Sequence, residues 1–237
     1  MNMILLFNSD FIGENKIILK DRRFEHILNV HKAKPGDTLK IGLLNNKLGT
    51  GVITSLDDTS LTMNTDLTET PPEPLNCALV LAMPRPLMFK RILMHICTLG
   101  IKEIHLLHSK RVEKSFWGSP VLEEDNINNE LYLGLEQACD TILPKIFIHK
   151  RFKEFIETTG KDLASDNRAL IAHPGFDNQQ TESTAENTVA AIGPEGGFID
   201  YEIDKFIETG FIPVNLGSRI LRVETAVPVM VSKIMKF

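Results

Sequence analysis

From residue 77 to the C-terminus, short apolar runs alternate with longer stretches of helical periodicity, and no other feature of the chain constrains the fold as much. The runs are apolar at nearly every position, as strands buried on both faces require. They are CALVLAM (77–83), EIHLLHS (103–109), KIFIH (145–149), ALIAH (169–173), TVAAIG (188–193) and FIPVNLG (211–217). The helices are predicted at PLMFKRILMHICTLG, EDNINNELYLGLEQACDTI, KRFKEFIETTG, IDYEIDKFIETG and VETAVPVMVSKIMKF. This order predicts an α/β domain with a mostly parallel sheet covered by helices on both faces.

The first 67 residues have a different pattern, made of short strands and turns. Five runs of four to eight residues read as strands, with one helical turn predicted at DRRFEHILNVHK (21–32). The runs are MILLF, KIILK, TLKIGLL, GTGVITSL and SLTMNTDL. Strands at this spacing predict a small β-barrel. The proline-rich TETPPEP (68–74) disfavours both helix and strand, so we predict two domains, 1–69 and 75–237, joined by this linker.

Charge and cysteine content bound the function class. The chain of 237 residues carries a formal net charge of −5, but phosphate binding depends on local charge. Residues 1–50 contain eight Lys/Arg against five Asp/Glu, and residues 84–114 contain seven against two. These segments are compatible with an RNA partner, although two solvated surfaces explain them equally well. Three widely spaced cysteines favour a reducing compartment and argue against a metal cluster. The N-terminus predicts neither signal peptide nor membrane span, so we expect a cytoplasmic protein.

Ligands of open α/β sheets bind at the carboxyl ends of strands, and three candidate loops follow the last three apolar runs. They are HPGF (173–176), GPEGGF (193–198) and NLGSRILRVET (215–225). GPEGGF lacks the Lys-Ser/Thr of a Walker loop and the spacing and position of a dinucleotide fingerprint. Glu195 also stands where a bound phosphate would have to lie. A carboxylate at this position favours a neutral or cationic ligand. Alternatively, Glu195 caps the helix that begins near Asp200.

Arg219 and Arg222 precede the final helix, where two guanidinium groups are electrostatically unfavourable. An anionic substrate such as RNA phosphate explains them. An internal ion pair with Glu195 or Glu224 is the alternative, and the two explanations are compatible.

IGPEGGF followed by LGSRILRVETA resembles the paired C-terminal signatures of the RsmE family. RRFEHILNVHKAKPGD, LAMPRP, TLGIKEIHLLHSKR and LEQACDTILPKI resemble further segments of that family, so the resemblance covers most of the chain. It implies a SPOUT-class α/β methyltransferase domain with a C-terminal trefoil knot, preceded by a small PUA-like β-barrel that binds RNA. It implies methylation of N3 of a uridine in 16S ribosomal RNA of the small subunit, with S-adenosylmethionine as the methyl donor. No metal, membrane or DNA is implied.

The resemblance also implies roles for individual residues. Donor-binding positions are Ala172, His173, Ile192, Gly193, Gly197, Leu216, Gly217, Ser218, Ile220 and Leu221. RNA-binding positions are Arg219, Arg22, Arg23, Lys32 and Arg111. Catalytic positions are Arg222, expected to stabilise the developing uracil anion, and Glu195. His173 is a candidate general base, with a structural role as the alternative.

Three further expectations concern partners and alternatives. The final helix is apolar most of the way round, which favours a homodimer, although packing on its own sheet explains part of the pattern. Departures from the family pattern at His31, His95, Thr98 and Asp140 keep open a SPOUT enzyme that methylates another RNA base. The remaining alternative is a non-catalytic RNA-binding module with a vestigial donor site.

Overall fold

The computed structural model describes residues 2–176 and 182–236, which form two compact units. The first contains Met1–Glu73 and Tyr132–Leu143, and the second contains Pro74–Leu131 and Pro144–Phe237. The boundary near residue 73 lies within the predicted linker. The grouping of residues 132–143 with the first unit was not foreseen, because the sequence analysis placed all of 75–237 in one domain.

The first unit is built on a six-stranded sheet with the order β1-β4-β5-β6-β3-β2. The strands are β1 (Ile4–Leu6), β2 (Phe11–Gly13), β3 (Lys16–Leu19), β4 (Thr38–Leu43), β5 (Leu48–Leu56) and β6 (Leu61–Glu69). β1 and β4 are parallel, and the other neighbours are antiparallel. A short helix α1 (Arg22–His26) continues into a π-helical turn, Ile27–His31. Alternating side chains from the strands, together with Phe24 and Ile27, form the core.

The second unit contains a six-stranded parallel sheet with the order β12-β10-β11-β7-β8-β9. The strands are β7 (Cys77–Ala82), β8 (Glu103–Leu107), β9 (Lys145–His149), β10 (Arg168–Ala172), β11 (Thr188–Ile192) and β12 (Ile212–Val214). The helices are α2 (Pro86–Thr98), α3 (Glu124–Ala138), α4 (Phe152–Glu157), α5 (Thr159–Asp166), α6 (Asp200–Thr209) and α7 (Val223–Ile234). α3 begins in this unit, and its residues from Tyr132 onward belong to the first.

The central strands β7 and β11 are buried along nearly their whole length, which explains their unbroken apolar sequence. All eleven predicted strands are present, and the α/β class with a parallel sheet is confirmed. β2 was missed, and the single helix predicted at 150–160 is instead α4 followed by α5.

The apolar side chains of α7 are explained within the chain itself. Val223, Ala226, Val227, Met230, Val231 and Ile234 are all buried in the single chain. The pattern therefore needs no partner subunit to account for it. Phe237, the last residue of the predicted helix, lies outside the described residues.

Within 2–176 and 182–236, no helix has the length and apolar character to cross a bilayer.

Candidate functional site

Three loops at the carboxyl edge of the parallel sheet enclose a cavity of about 250 Å³. They follow β10, β11 and β12, and they are neighbours because β10 lies between the other two strands. The lining comprises Arg111, Ala172, His173, Pro174, Ile192, Gly193, Pro194, Glu195, Gly196, Gly197, Phe198, Asn215, Leu216, Gly217, Arg219, Ile220, Leu221, Val223 and Ala226. Open α/β sheets bind their ligands at this edge, so the cavity is the candidate site.

The GPEGGF loop, residues 193–198, depends on glycine at two of its positions. A Cβ on Gly193 would lie 3.0 Å from the backbone nitrogen of Phe198, so the loop would have to shift by a few tenths of an ångström to accept it. Gly197 has φ +70°, and its N–H donates to the carbonyl of Pro194 at 2.7 Å. The loop therefore turns back tightly and presents backbone, rather than side chains, to the cavity.

Contacts with two other loops hold GPEGGF in place. One carboxylate oxygen of Glu195 accepts a hydrogen bond from the backbone N–H of Arg85 at 2.9 Å, just before α2. The guanidinium of Arg111, from the loop after β8, donates to the carbonyl of Gly196. Glu195 thus anchors the loop, and the alternative that it caps α6 is wrong. The N–H of Ile199, at the start of α6, is instead bound by Glu202.

On the opposite wall, Asn215 connects the loop after β12 to the loop after β10. Its side-chain amide donates to the carbonyl of Phe176 at 2.9 Å, and its side-chain oxygen accepts from the N–H of Gly217 at 2.9 Å. The ammonium of Lys233, on α7, donates to the Asn215 carbonyl at 2.8 Å. One residue therefore fixes the separation of two loops that line the cavity.

The imidazole ring of His173, which directly follows β10, forms a hydrogen bond within its own loop. Its Nδ1 accepts a hydrogen bond from the N–H of Gly175 at 3.1 Å. Burial lowers the pKa of His173, and the charge of Asp200 opposes that shift only in part. The neutral ring accepting at Nδ1 carries its proton on Nε2. This tautomer gives His173 a structural role in the turn and leaves Nε2 a donor.

The structure brings most of the predicted donor-binding residues together. Nine of the ten line the cavity, and Ser218 does not. Glu195, Arg111 and Arg219 line it as well. Arg222 does not, although its neighbours Leu221 and Val223 do. It precedes the first residue of α7, its side chain is 81% exposed, and one guanidinium nitrogen lies 3.6 Å from Glu224. The predicted pair with Glu224 is therefore present, and it leaves most of the guanidinium accessible.

Three predicted RNA-binding residues lie in the first unit, and one of them does not fit that role. Arg23 is 3% exposed, and its guanidinium donates to both oxygens of Asp10, to Asp21 and to the carbonyl of Leu5. Arg23 is thus a buried structural residue, which corrects the prediction. Arg22 is partly exposed and pairs with Glu136 of the same unit at 2.9 Å. Lys32 is exposed at φ 52° after the π-helical turn.

Sequence reasoning missed Glu202, Asn215 and Lys233 as residues that shape the site. Glu202 occupies the third position of α6, where a carboxylate often reaches back to the preceding N–H, but Ile199 lacks the hydroxyl that makes this motif recognisable. No local pattern identifies Lys233 or the link from Asn215 to Phe176, because these partners are distant in sequence. In the described part of the chain, no three His, Cys, Asp or Glu side chains are grouped as metal ligands.

A family model described as an RNA methyltransferase domain matches residues 71–235. The chain belongs to this RNA methyltransferase family. A Mesomycoplasma hyopneumoniae protein named ribosomal RNA small subunit methyltransferase E is 30% identical over 69% of this chain and 71% of its own length. A Treponema pallidum protein of the same name is 29% identical over 95% of this chain and 87% of its own. Membership of the RsmE family, predicted from the motifs, is thereby confirmed.

Among solved structures, a ribosomal RNA small subunit methyltransferase E from Neisseria gonorrhoeae, bound to S-adenosyl methionine, matches this methyltransferase with a TM-score of 0.75. The match has 22% sequence identity and covers 97% of this chain and 95% of the other. At that identity the likeness concerns the fold, which the two proteins share over nearly their whole length.

Proposed function

We propose that this methyltransferase transfers a methyl group from S-adenosylmethionine to N3 of a uridine in 16S ribosomal RNA. The observation that carries the proposal is the glycine-rich cavity at the ends of β10, β11 and β12, in a chain of the RNA methyltransferase family. The names of the relatives support ribosomal RNA of the small subunit as the substrate. Activity on ribosomal RNA in turn suits a cytoplasmic protein.

The residues of the cavity fit this methyl donor. When bound, S-adenosylmethionine supplies an electrophilic methyl group on a positively charged sulfur. Glu195 is one of the lining residues, and its negative charge suits a ligand of positive charge. Ala172, Ile192 and the residues after Val214 line the cavity, and their backbone groups are proposed to bind the adenosine portion. Both features agree with the donor-binding set predicted from the family.

Arg222 is proposed to assist the nucleophile. Uracil N3 loses its proton to water, so negative charge develops on the ring, and the N3–methyl bond then forms as the sulfur–methyl bond of the donor breaks. An exposed guanidinium beside the cavity stabilises that charge without accepting the proton itself. Arg219, which lines the cavity, is proposed to hold a nearby phosphate, with Arg111, Arg22 and Lys32 as further RNA contacts.

The variant Arg222→Ala tests this role. We expect the rate constant for methyl transfer to fall by about 10²–10³-fold, with donor affinity unchanged within about twofold. Arg151→Ala is the matched control, since that side chain is 82% exposed and also pairs weakly with a glutamate. Methyl transfer to small ribosomal subunits is measured for both variants. Near-normal turnover by Arg222→Ala would contradict the proposed role.

Mass spectrometry of ribosomal RNA from a deletion strain identifies the base. Loss of N3-methyluridine, restored by the wild-type gene, is the expected result. Loss of another modified base would instead support the alternative SPOUT activity, and an unchanged RNA with no donor binding would indicate a vestigial module.

The finer architecture belongs to the same proposal. We propose that the first unit is a PUA-like barrel and that the strand-end loops and α7 form a trefoil knot. A parallel bridge between Thr184 and Met235, which follows α7, supports this threading. A homodimer is proposed as well, supported by Ile220, which lines the cavity and is 82% exposed. Light scattering that shows a monomer at micromolar concentration would contradict the dimer.

A further inference from the structure

Glu202 is 2% exposed, and both of its carboxylate oxygens bind backbone N–H groups of different loops. One oxygen accepts from the N–H of Lys110, in the loop after β8, at 2.7 Å. The other accepts from the N–H of Ile199, directly after GPEGGF, at 3.1 Å. A single buried side chain therefore joins the loop after β8 to the loop after β11, although β7 separates these strands in the sheet.

The residue next to Lys110 completes this junction. Arg111 donates to the carbonyl of Gly196 and lines the cavity, and a Cβ on Gly196 would lie 3.1 Å from the Arg111 side chain. The segment 110–111 is thus linked to the loop after β11 at two points, directly through the guanidinium of Arg111 and indirectly through Glu202, which binds Ile199.

We propose that the loop after β8 is a fourth wall of the methyl-donor site and that Glu202 is the positioning residue that holds it there. This inference rests on the proposed function, since it concerns the same cavity. Glu202 acts through its neighbours: it fixes Lys110, which places Arg111, which in turn orients the Gly196 carbonyl. Charge-assisted hydrogen bonds to buried backbone groups are among the stronger ones in proteins, so the carboxylate is well suited to this task.

The test variant is Glu202→Gln, which preserves side-chain size but replaces one acceptor oxygen with an NH₂ group. We expect the dissociation constant for S-adenosylmethionine, measured by calorimetric titration, to rise about tenfold. The KM for the donor rises in parallel, while kcat at saturating donor stays within about twofold, because the reacting groups are unchanged. A purely structural defect would lower the active fraction, and thus kcat, without changing KM.

The matched control is Glu208→Gln on the same helix. Its carboxylate is 62% exposed and pairs with Lys205, with no role in the cavity. We expect its donor affinity to equal that of the wild type. Equal affinity of Glu202→Gln and the wild type would overturn the inference, whereas a wild type that binds no donor would overturn the proposed function itself.

A second variant keeps the inference testable if Glu202→Gln does not fold. Arg111→Ala changes an exposed side chain. If the loop after β8 forms part of the donor site, this variant also binds the donor more weakly. When both variants fold, their combination is decisive. Because both residues act on the same junction, the double variant should lose less affinity than the product of the two single losses. Unchanged donor binding in Arg111→Ala, or strictly multiplicative losses, would overturn the inference.

Discussion

His173 occupies a position where its protonation state controls the shape of a cavity wall. Its Nδ1 accepts from the N–H of Gly175, and burial lowers its pKa from the ordinary 6.5. A lowered pKa in the folded state means that the neutral ring contributes stability above about pH 6.5, and this contribution is lost as the pH falls through the lower folded value. Protonation removes the acceptor at Nδ1, so we expect the turn of residues 173–175 to open in acid.

Donor affinity should therefore depend on pH through His173. As the pH falls below about 6.5, we expect the dissociation constant of the wild type to rise, and to be about fivefold higher once the ring is fully protonated, as the loss of one hydrogen bond implies. His173→Asn is the matching variant, because an asparagine oxygen accepts from the N–H two residues ahead and does not titrate. Its donor affinity should be nearly constant over the same range. An equally steep pH dependence in this variant would contradict the assignment.

Arg22 and Arg23 illustrate what the sequence could determine about single residues. Burial alone would lower the pKa of Arg23, but the hydrogen bonds that Arg23 donates to Asp10 and Asp21 outweigh it and raise the pKa instead. Neither the residue type nor the local sequence pattern distinguishes Arg22 from Arg23. Arg23 is buried because it pairs with Asp10, which is distant in the chain. By contrast, the motif residues of the cavity were identifiable because the resemblance to the RsmE family implied their roles, and because they lie in loops that follow strands, where ligands of α/β sheets bind.

The loops of the site depend on backbone conformations that few residues adopt. Gly217 has φ +139°, yet a Cβ there would meet nothing within 4 Å. The requirement for glycine at this position is thus one of backbone strain alone, in contrast to Gly193, where the requirement is space.

Gly217→Ala should lower the free energy of unfolding by about 1–3 kcal/mol, the usual cost of such strain. Gly118→Ala is the control, because a Cβ there also meets nothing within 4 Å and its φ is not in the positive range. We expect a change of at most about 0.5 kcal/mol for the control in urea denaturation. Similar changes in the free energy of unfolding for the two variants would show that Gly217 is not under backbone strain.

Helices and strands were predictable where the periodic pattern was long. The prediction failed where tertiary packing determines the end of a helix. The apolar strands of the parallel sheet follow from their composition. The break between α4 and α5 does not, since Thr158 carries no helix-breaking signal and takes φ −121°, ψ −96°. Gly160, which the sequence suggests as a helix end, lies inside α5, where a Cβ would be 3.2 Å from Ile156 and from the Phe155 carbonyl. Its small size serves packing instead.

At the scale of the whole molecule, the first unit is assembled from two separate parts of the chain. Residues 132–143 contribute the carbonyl of Glu136, which accepts from the N–H groups of Asn2 and Met3. The Glu136 carboxylate binds Arg22, and the hydroxyl of Thr141 binds the carbonyl of Asn46. Composition marked the linker at 68–74. No local signal identifies residues 132–143 as a segment that returns to the first unit, and we call it the returning segment.

A fragment of residues 1–73 should therefore be less stable than the same unit in the full chain. It keeps the sheet but leaves the partners of residues 132–143 unsatisfied. We expect amide protons of β1 to exchange faster in the fragment, as measured by hydrogen exchange. A longer fragment of residues 1–131 controls for length, since it also lacks the returning segment and should show the same loss. Equal protection in the fragment and in the full chain would contradict this account.

The returning segment has a consequence for biosynthesis. A ribosome delivers the chain from its N-terminus, and a contiguous domain starts to fold as soon as its last residue emerges. This chain cannot follow that order, because Leu143, the last residue of the first unit, is translated only after three strands or helices of the second unit have already been made. The first unit, with all six strands of its sheet already made, lacks residues 132–143 throughout that interval, and it is completed only after β7, α2 and β8 of the second unit have been made.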